Sequence, residues 1–228
     1  MTRYFVIDLF TGSGSWSKPW RTVAERIWTL DLLPEFDPDI CIDIKEVDEE
    51  LVASITRCIP EDAVVVVYAS PPCTCFSVAS LSTHWDKSDG TFRPKSEGAT
   101  DALLVIESMI RVIETIDPDY LWVENPRGVL RKLGILPPEW SHAEVWYCKY
   151  GDERAKPTDL WGIWPESWEP RPKCRNGASL KGECHHAPAP RGATTGTQGR
   201  KGWLARSQIP VDLVLDTKEA VMDGDVHG

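Results

Sequence analysis

The longest unbroken apolar run, Ala63-Val64-Val65-Val66-Val67-Tyr68, carries no polar alternation and is rich in β-branched residues. It predicts a strand buried on both faces, as in the middle of a parallel sheet. Shorter apolar runs over residues 4–7, 27–31, 40–42, 120–123, 143–147 and 158–164 predict further strands. Residues 100–116 differ: apolar side chains at 102, 103, 106, 109, 110, 113 and 116 have the spacing of an amphipathic helix. Residues 17–26 are expected to form the helix after the first strand, and residues 211–221 a short helix near the chain's end. Between these lies a polar stretch, residues 78–99, with Ser82, His84, Trp85, Lys87, Arg93 and Lys95. It is too long and irregular for an ordinary connection. Strands alternating with helices around a doubly buried strand predict an α/β fold.

Candidate chemistry falls at the ends of the strands. Pro71 and Pro72 stop the strand at 63–68, because neither can donate to a ladder and both fix φ. Cys73 therefore leaves on a stiff turn at the carboxyl edge, where open α/β sheets bind ligands. A thiol there is either a candidate nucleophile or a buried structural cysteine. The first strand runs into Asp8-Leu9-Phe10-Thr11-Gly12-Ser13-Gly14, whose glycines allow a tight turn and close approach of a ligand. Asp31 ends the second strand, where a carboxylate can accept ribose hydroxyls, and Asp43 follows the third. Glu124 follows the strand at 120–123 and can reach the same crevice as Cys73.

With 228 residues, the chain can bury one good core and little more. The first apolar run breaks at Asp8, too early for a signal peptide, and no run approaches membrane-spanning length, so a cytoplasmic protein without a membrane partner is expected. Seven cysteines without secretory context read as reduced thiols or ligands. A formal charge of -10 is unexpected for a nucleic-acid binder. The charge is uneven, however: residues 165–206 hold eight Lys and Arg against three acids, so an acidic body carries one basic segment. Within it, Cys174, Cys184, His185 and His186 are candidate zinc ligands, although Cys-x9-Cys-His-His is not a diagnostic spacing.

Pro-Pro-Cys-x-x-Phe-Ser at 71–77, Asp-Leu-Phe-x-Gly-x-Gly at 8–14, Asp43-Ile44, Glu124-Asn125 and Tyr150-Gly151 followed by Arg154 occur in the order found in DNA cytosine-5 methyltransferases. The chain resembles that family, in the short form encoded by phages, over residues 8 to about 210. The resemblance implies a Rossmann-like, S-adenosylmethionine-dependent methyltransferase sheet, mostly parallel with an antiparallel strand, plus a small irregular recognition segment. It implies S-adenosylmethionine contacts from Asp8, Phe10, Thr11, Gly12, Gly14, Asp31, Asp43, Ile44 and Pro72. Cys73 would be the nucleophile, Glu124 would act on the cytosine ring, and Arg154 with Lys156 would hold its carbonyl oxygen. It also implies a catalytic part over 1–164, recognition by 165–205, a returning segment over 206–228, and a lid over 78–99. The substrate would be duplex DNA with the target cytosine flipped out, the protein acting as a monomer.

Three departures stand out. Pro126 replaces the family's valine, Asp152 its glutamine and Lys156 its second arginine, while Ser207-Gln208-Ile209-Pro210 only loosely echoes the last motif. Ser70-Pro71-Pro72 also resembles the start of the amino-methyltransferase motif (N4-cytosine or N6-adenine), but Cys73 stands where that motif has an aromatic residue. A catalytically silent nucleic-acid-binding protein, or an enzyme acting on RNA or free nucleotides, are the remaining alternatives.

Overall fold

The computed structural model describes residues 2–174 and 202–224. In chain order, β1 (Arg3–Leu9), β2 (Ala24–Asp31) and β3 (Ile40–Cys41) are followed by α1 (Glu49–Thr56) and β4 (Ala63–Ala69). The four-residue α2 (Leu81–His84) and a small hairpin of β5 (Trp85–Asp86) and β6 (Arg93–Pro94) lead to the long α3 (Glu97–Ile116). Then come β7 (Tyr120–Pro126), β8 (Ser141–Trp146), β9 (Pro157–Ile163), α4 (Trp203–Ser207) and α5 (Val211–Gly224).

Seven strands form one sheet in the order β3-β2-β1-β4-β7-β9-β8. The first five are mutually parallel, and β9 runs antiparallel to both β7 and β8. The carboxyl ends of β1, β4 and β7 therefore share one edge. Reversal of β9 brings its start there too: Pro126 lies opposite Thr158, and Trp146 opposite Pro157. This edge therefore brings the turns after β1, β4 and β7 to the same end of the sheet as residues 147–157.

The valine-rich β4 is buried on both faces because each face has its own cover. Val67 and Ala69 pack with Leu121, Val123 and the α3 residues Ile106, Met109, Val112, Ile113 and Ile116. α3 starts as its sequence dictates, with the Ser96 hydroxyl accepting from the Ala99 N–H, and ends at Asp117 with a left-handed φ of 51°. The opposite face, with Val66 and Tyr68, is covered by α5 through Leu213, Val214 and Val221 and by a layer of aromatic rings. Trp16 stacks on Tyr68 with centroids 4.6 Å apart, and Tyr68 stacks on Trp122 at 5.5 Å. Each such side chain contributes about 1.5–3 kcal/mol through burial.

This aromatic layer explains where the sequence expectation fails. Residues 17–26 do not form a helix; they make one 3-10 turn, Lys18–Trp20, and β2 begins at Ala24. Trp16 and Trp20 are both buried against the sheet face, Trp16 stacked on Tyr68 and Trp20 tilted at 51° to it, with Trp20 Nε1 donating to the Tyr68 hydroxyl at 3.1 Å. A further turn closes with the Val23 N–H donating to the Trp20 carbonyl at 2.9 Å, and the chain becomes extended only at Ala24. The α1 helix was not foreseen; its signal is Asp48, whose carboxylate accepts from the Leu51 N–H ahead of Glu49 and Glu50. No helix among the described residues is long and apolar enough to cross a membrane.

Candidate active site

Cys73 sits in a turn held from three sides. Its own carbonyl accepts from the Phe76 and Ser77 N–H groups, at 3.1 and 3.0 Å, closing the turn internally. Asn125, fully buried on β7, donates its side-chain amide to the Pro71 carbonyl at 3.0 Å. Val129 N–H donates to the Phe76 carbonyl at 2.8 Å, next to a bridge between Ser77 and Gly128. At Gly128 the backbones approach so closely that a Cβ would lie 2.1 Å from the Phe76 oxygen. The stretch after Glu124 thus serves as a splint for the thiol turn.

Glu124 projects into the same recess, 5% exposed. Its Oε1 accepts from the Tyr147 hydroxyl at 2.8 Å and from Lys156 Nζ at 3.3 Å. The Lys156 ammonium also lies 4.6 Å from the Tyr147 ring centroid. Burial beside Glu124 pushes the Tyr147 hydroxyl well above its ordinary pKa, so it acts as a fixed donor. Cys73 is partly buried, and desolvation raises its thiol pKa; Lys156 and Arg206 pull it down while Glu124 pushes it up. The Asn125–Pro71 hydrogen bond and the parallel pairing of β4 with β7 set the Cys73 turn beside Glu124 and its partner Lys156.

Arg154 does not point its charge into this recess. It is 1% exposed, and all three guanidinium nitrogens are committed elsewhere. Nε and Nη2 donate to the Asp152 carboxylate, Nη1 donates to the Ala205 and Arg206 carbonyls at 3.3 and 2.8 Å, and Nη2 donates to the Gln208 carbonyl at 2.8 Å. The cation available beside Glu124 is Lys156, and Arg154 secures the returning chain instead. Asp152, noted in the sequence as a departure, is the partner that makes this possible.

The glycine turn lies at the end of β1, one strand away. Phe10, Gly12 and Gly14 all have left-handed φ, at 62°, 48° and 69°. A left-handed φ at a phenylalanine is uncommon and marks a turn the fold imposes. Asp8 is 1% exposed; its Oδ2 accepts from the Thr11 hydroxyl and the Ser17 N–H, while Oδ1 is buried without a partner. Asp31 Oδ2 accepts from the Gly12 N–H at 2.8 Å and Oδ1 from the Leu33 N–H at 2.9 Å, so it ties the turn to β2 and keeps one lone pair on each oxygen. Asp43 caps a short turn through the Lys45 N–H, and Ile44 is buried in the core.

These residues fit an adenosine-bearing cofactor. The space over Gly12 is open, with only the Phe10 carbonyl among the described residues within 4.0 Å of a built Cβ, and the Asp31 carboxylate beside it has acceptor capacity to spare, while buried Asp8 braces the turn from beneath. Leu32, which the sequence reading overlooked, is 58% exposed directly after Asp31 and offers an apolar face for a purine. Its signal was an apolar residue immediately beyond a strand-end acid.

Residues 78–99 are folded rather than loose. Trp85 is buried and donates Nε1 to the Cys75 carbonyl at 2.7 Å, while His84 Nδ1 meets the Ser96 hydroxyl at 2.7 Å. Of the zinc candidates, Cys174 is buried with Trp146, Cys148 and Ala155. Cys184, His185 and His186 lie outside the described residues. Among the described residues no group of three or more His, Cys, Asp or Glu could hold a metal ion.

The sheet order, mostly parallel with an antiparallel strand inserted beside β7, is a Rossmann-like fold of the kind found in methyltransferases. Neither a protein-family model nor a curated protein matches the chain. Among solved structures it is similar to a methyltransferase of Entamoeba histolytica, with 12% identity, a TM-score of 0.51, and coverage of 74% of this chain and 56% of that one. Weaker similarity links it to a protein described as a DNA modification methyltransferase encoded within an E. coli prophage, with 14% identity, coverage of 70% and 46%, and a TM-score of 0.47. DNMT2 of Spodoptera frugiperda also matches, at 14% identity, coverage of 75% and 54%, and a TM-score of 0.44. The chain spans about half the length of these proteins. At such identities the likeness shows the fold alone.

Proposed function

We propose that this chain is an S-adenosylmethionine-dependent methyltransferase that modifies carbon 5 of a flipped-out cytosine in DNA, with Cys73 as covalent nucleophile. The observation that carries this reading is that the Asn125–Pro71 hydrogen bond sets the Cys73 turn beside Glu124, which pairs with Lys156, one strand from the glycine turn. Neither a purely structural cysteine nor a binding-only scaffold needs a thiol flanked by a buried carboxylate–ammonium pair. When bound, the cofactor supplies an electrophilic methyl group. Asp8, Gly12, Gly14 and Asp31 would hold it, with Leu32 beside the adenine.

The chain's own contribution is to make cytosine carbon 5 nucleophilic. The thiol of Cys73 must first lose its proton, and Lys156 is the largest influence favouring that loss. The thiolate adds to ring carbon 6; the S–C6 bond forms, the C5–C6 π pair is released, and the ring becomes an enamine reactive at carbon 5. Glu124 shares a proton with ring N3 and so stabilises charge pushed into the pyrimidine, its geometry fixed by the Tyr147 hydroxyl. Lys156, rather than Arg154, would meet the carbonyl oxygen at carbon 2. After methylation, loss of the carbon-5 proton to solvent drives the C6–S pair back onto sulfur and frees Cys73. The base reaches this recess only by leaving the helix stack, at a cost of a few kcal/mol. The basic residues 165–205 would supply recognition.

Cys73→Ala and Cys73→Ser test the assignment. Both should abolish methyl transfer to DNA while leaving S-adenosylmethionine affinity within about twofold, because the hydrogen bonds that hold the glycine turn come from Asp8, Asp31 and Ser70 and not from the Cys73 thiol. Full activity in both variants would overturn the covalent reading.

A further inference from the structure

We infer that Arg206 is a phosphate-contact residue: its backbone is bolted beside the thiol recess so that its guanidinium can grip the nucleic-acid backbone next to the base that enters. The inference rests on the proposed action on a nucleic-acid base. It begins with Arg154, a buried arginine with a buried acid partner, which is a costly way to organise an exposed segment. What that pair holds is the Ala205, Arg206 and Gln208 carbonyls. On one side of this clamp the Ser207 hydroxyl donates to the Leu204 carbonyl at 2.9 Å. On the other, the Ile209 N–H reaches the Ser15 hydroxyl of the glycine turn at 3.5 Å, and Ile209 is buried against the aromatic layer. Residues 204–209 therefore bridge the base recess and the glycine turn in a fixed path.

The side chain of Arg206 contrasts with its backbone. It is exposed, and among the described residues its guanidinium has no acid partner. The other arginines of this edge are engaged: Arg127 with Glu144, Arg131 with Glu144 and Asp159, Arg154 with Asp152, and Arg171 with Asp212 and Asp216. The Arg206 carbonyl is held by Arg154, two residues before the Lys156 that meets Glu124, and Asn125 next to Glu124 holds the Cys73 turn through Pro71. A rigid backbone, an uncommitted planar fork and a position beside the nucleophile, on a chain of formal charge -10, match a single phosphodiester contact.

The test uses the full chain and a cytosine-containing duplex, with affinity measured from low to moderate salt for the wild type, Arg206→Gln and Arg206→Lys. Loss of one phosphate contact should reduce the slope of log K against log salt by about 0.9 and weaken low-salt binding by about tenfold in Arg206→Gln. Arg206→Lys should keep the wild-type slope, and thermal stability should be unchanged in both. An unchanged slope in Arg206→Gln, or a stability loss that accounts for the weaker binding, overturns the inference. Failure of the wild type to form any Cys73 adduct with 5-fluorocytosine DNA would instead overturn the underlying functional reading, and the two failures are read in separate assays.

Discussion

Asp8→Asn isolates a titration that the fold builds into the glycine turn. Asp8 is buried, one oxygen lacks a partner, and burial pushes its pKa up to about 7 despite hydrogen bonds from Ser17 and Thr11. In the unfolded chain the same group titrates near about 3.9. Between these values the native state binds the proton and the unfolded state does not, so stability falls as pH rises from about 4 through about 7 and then levels off. A shift of about 3 units corresponds to roughly 4 kcal/mol in all, of which roughly 2–3 kcal/mol falls between pH 5 and pH 8. Asparagine keeps the shape and an acceptor for Thr11 and Ser17 but removes the titration. Urea unfolding of wild type and Asp8→Asn at pH 5 and pH 8, without cofactor, reads the difference directly. The wild type should lose roughly 2–3 kcal/mol more than the variant over that interval. Parallel pH profiles would refute the reasoning, because they would mean that Asp8 is hydrated or already ionised in the fold.

Two further substitutions probe the splint behind the thiol. Asn125→Ala strips the Pro71 carbonyl of its donor and should cost about 1–3 kcal/mol in urea unfolding, with slower adduct formation at Cys73 and little change in cofactor affinity. Gly128→Ala forces a Cβ into the Phe76 carbonyl and should destabilise by about 1–3 kcal/mol, as an overpacked core does. Gly134→Ala, which has left-handed φ but open space, serves as the control and should cost about 1 kcal/mol. Equal melting temperatures for Gly128→Ala and wild type would contradict the close approach described here.

The place of Cys73 and Glu124 at the sheet edge was legible in the sequence because both follow apolar runs. Glu124 comes directly after one and Cys73 a short Pro-Pro turn after the other, and once the runs are parallel neighbours their ends lie side by side. The strands themselves were equally plain, for β-branched stretches have few other uses in a chain of this composition. The segment after β1 was misread because a strand and glycine turn in an α/β fold are ordinarily followed by a helix, and only the sheet face that Trp16 and Trp20 cover shows that the aromatic layer takes its place. Arg154 and Asn125 were recognised as motif residues, but their partners were invisible: the acceptors are carbonyls at 205, 206 and 208 in one case and at Pro71 in the other, about fifty positions away in both. Side-chain commitments to distant backbone leave no periodic trace.

The central claim is that Cys73 attacks a cytosine ring. It is tested most directly by incubating the protein with S-adenosylmethionine and a duplex containing 5-fluorocytosine, running a denaturing gel, and digesting an unmodified parallel substrate to nucleosides for mass spectrometry. The fluorine at carbon 5 cannot leave as a proton does, so the account predicts a covalent complex that persists on the gel, is absent in Cys73→Ala, and is matched by 5-methylcytosine in the digest. No complex, together with N4-methylcytosine or N6-methyladenine in the digest, would contradict it.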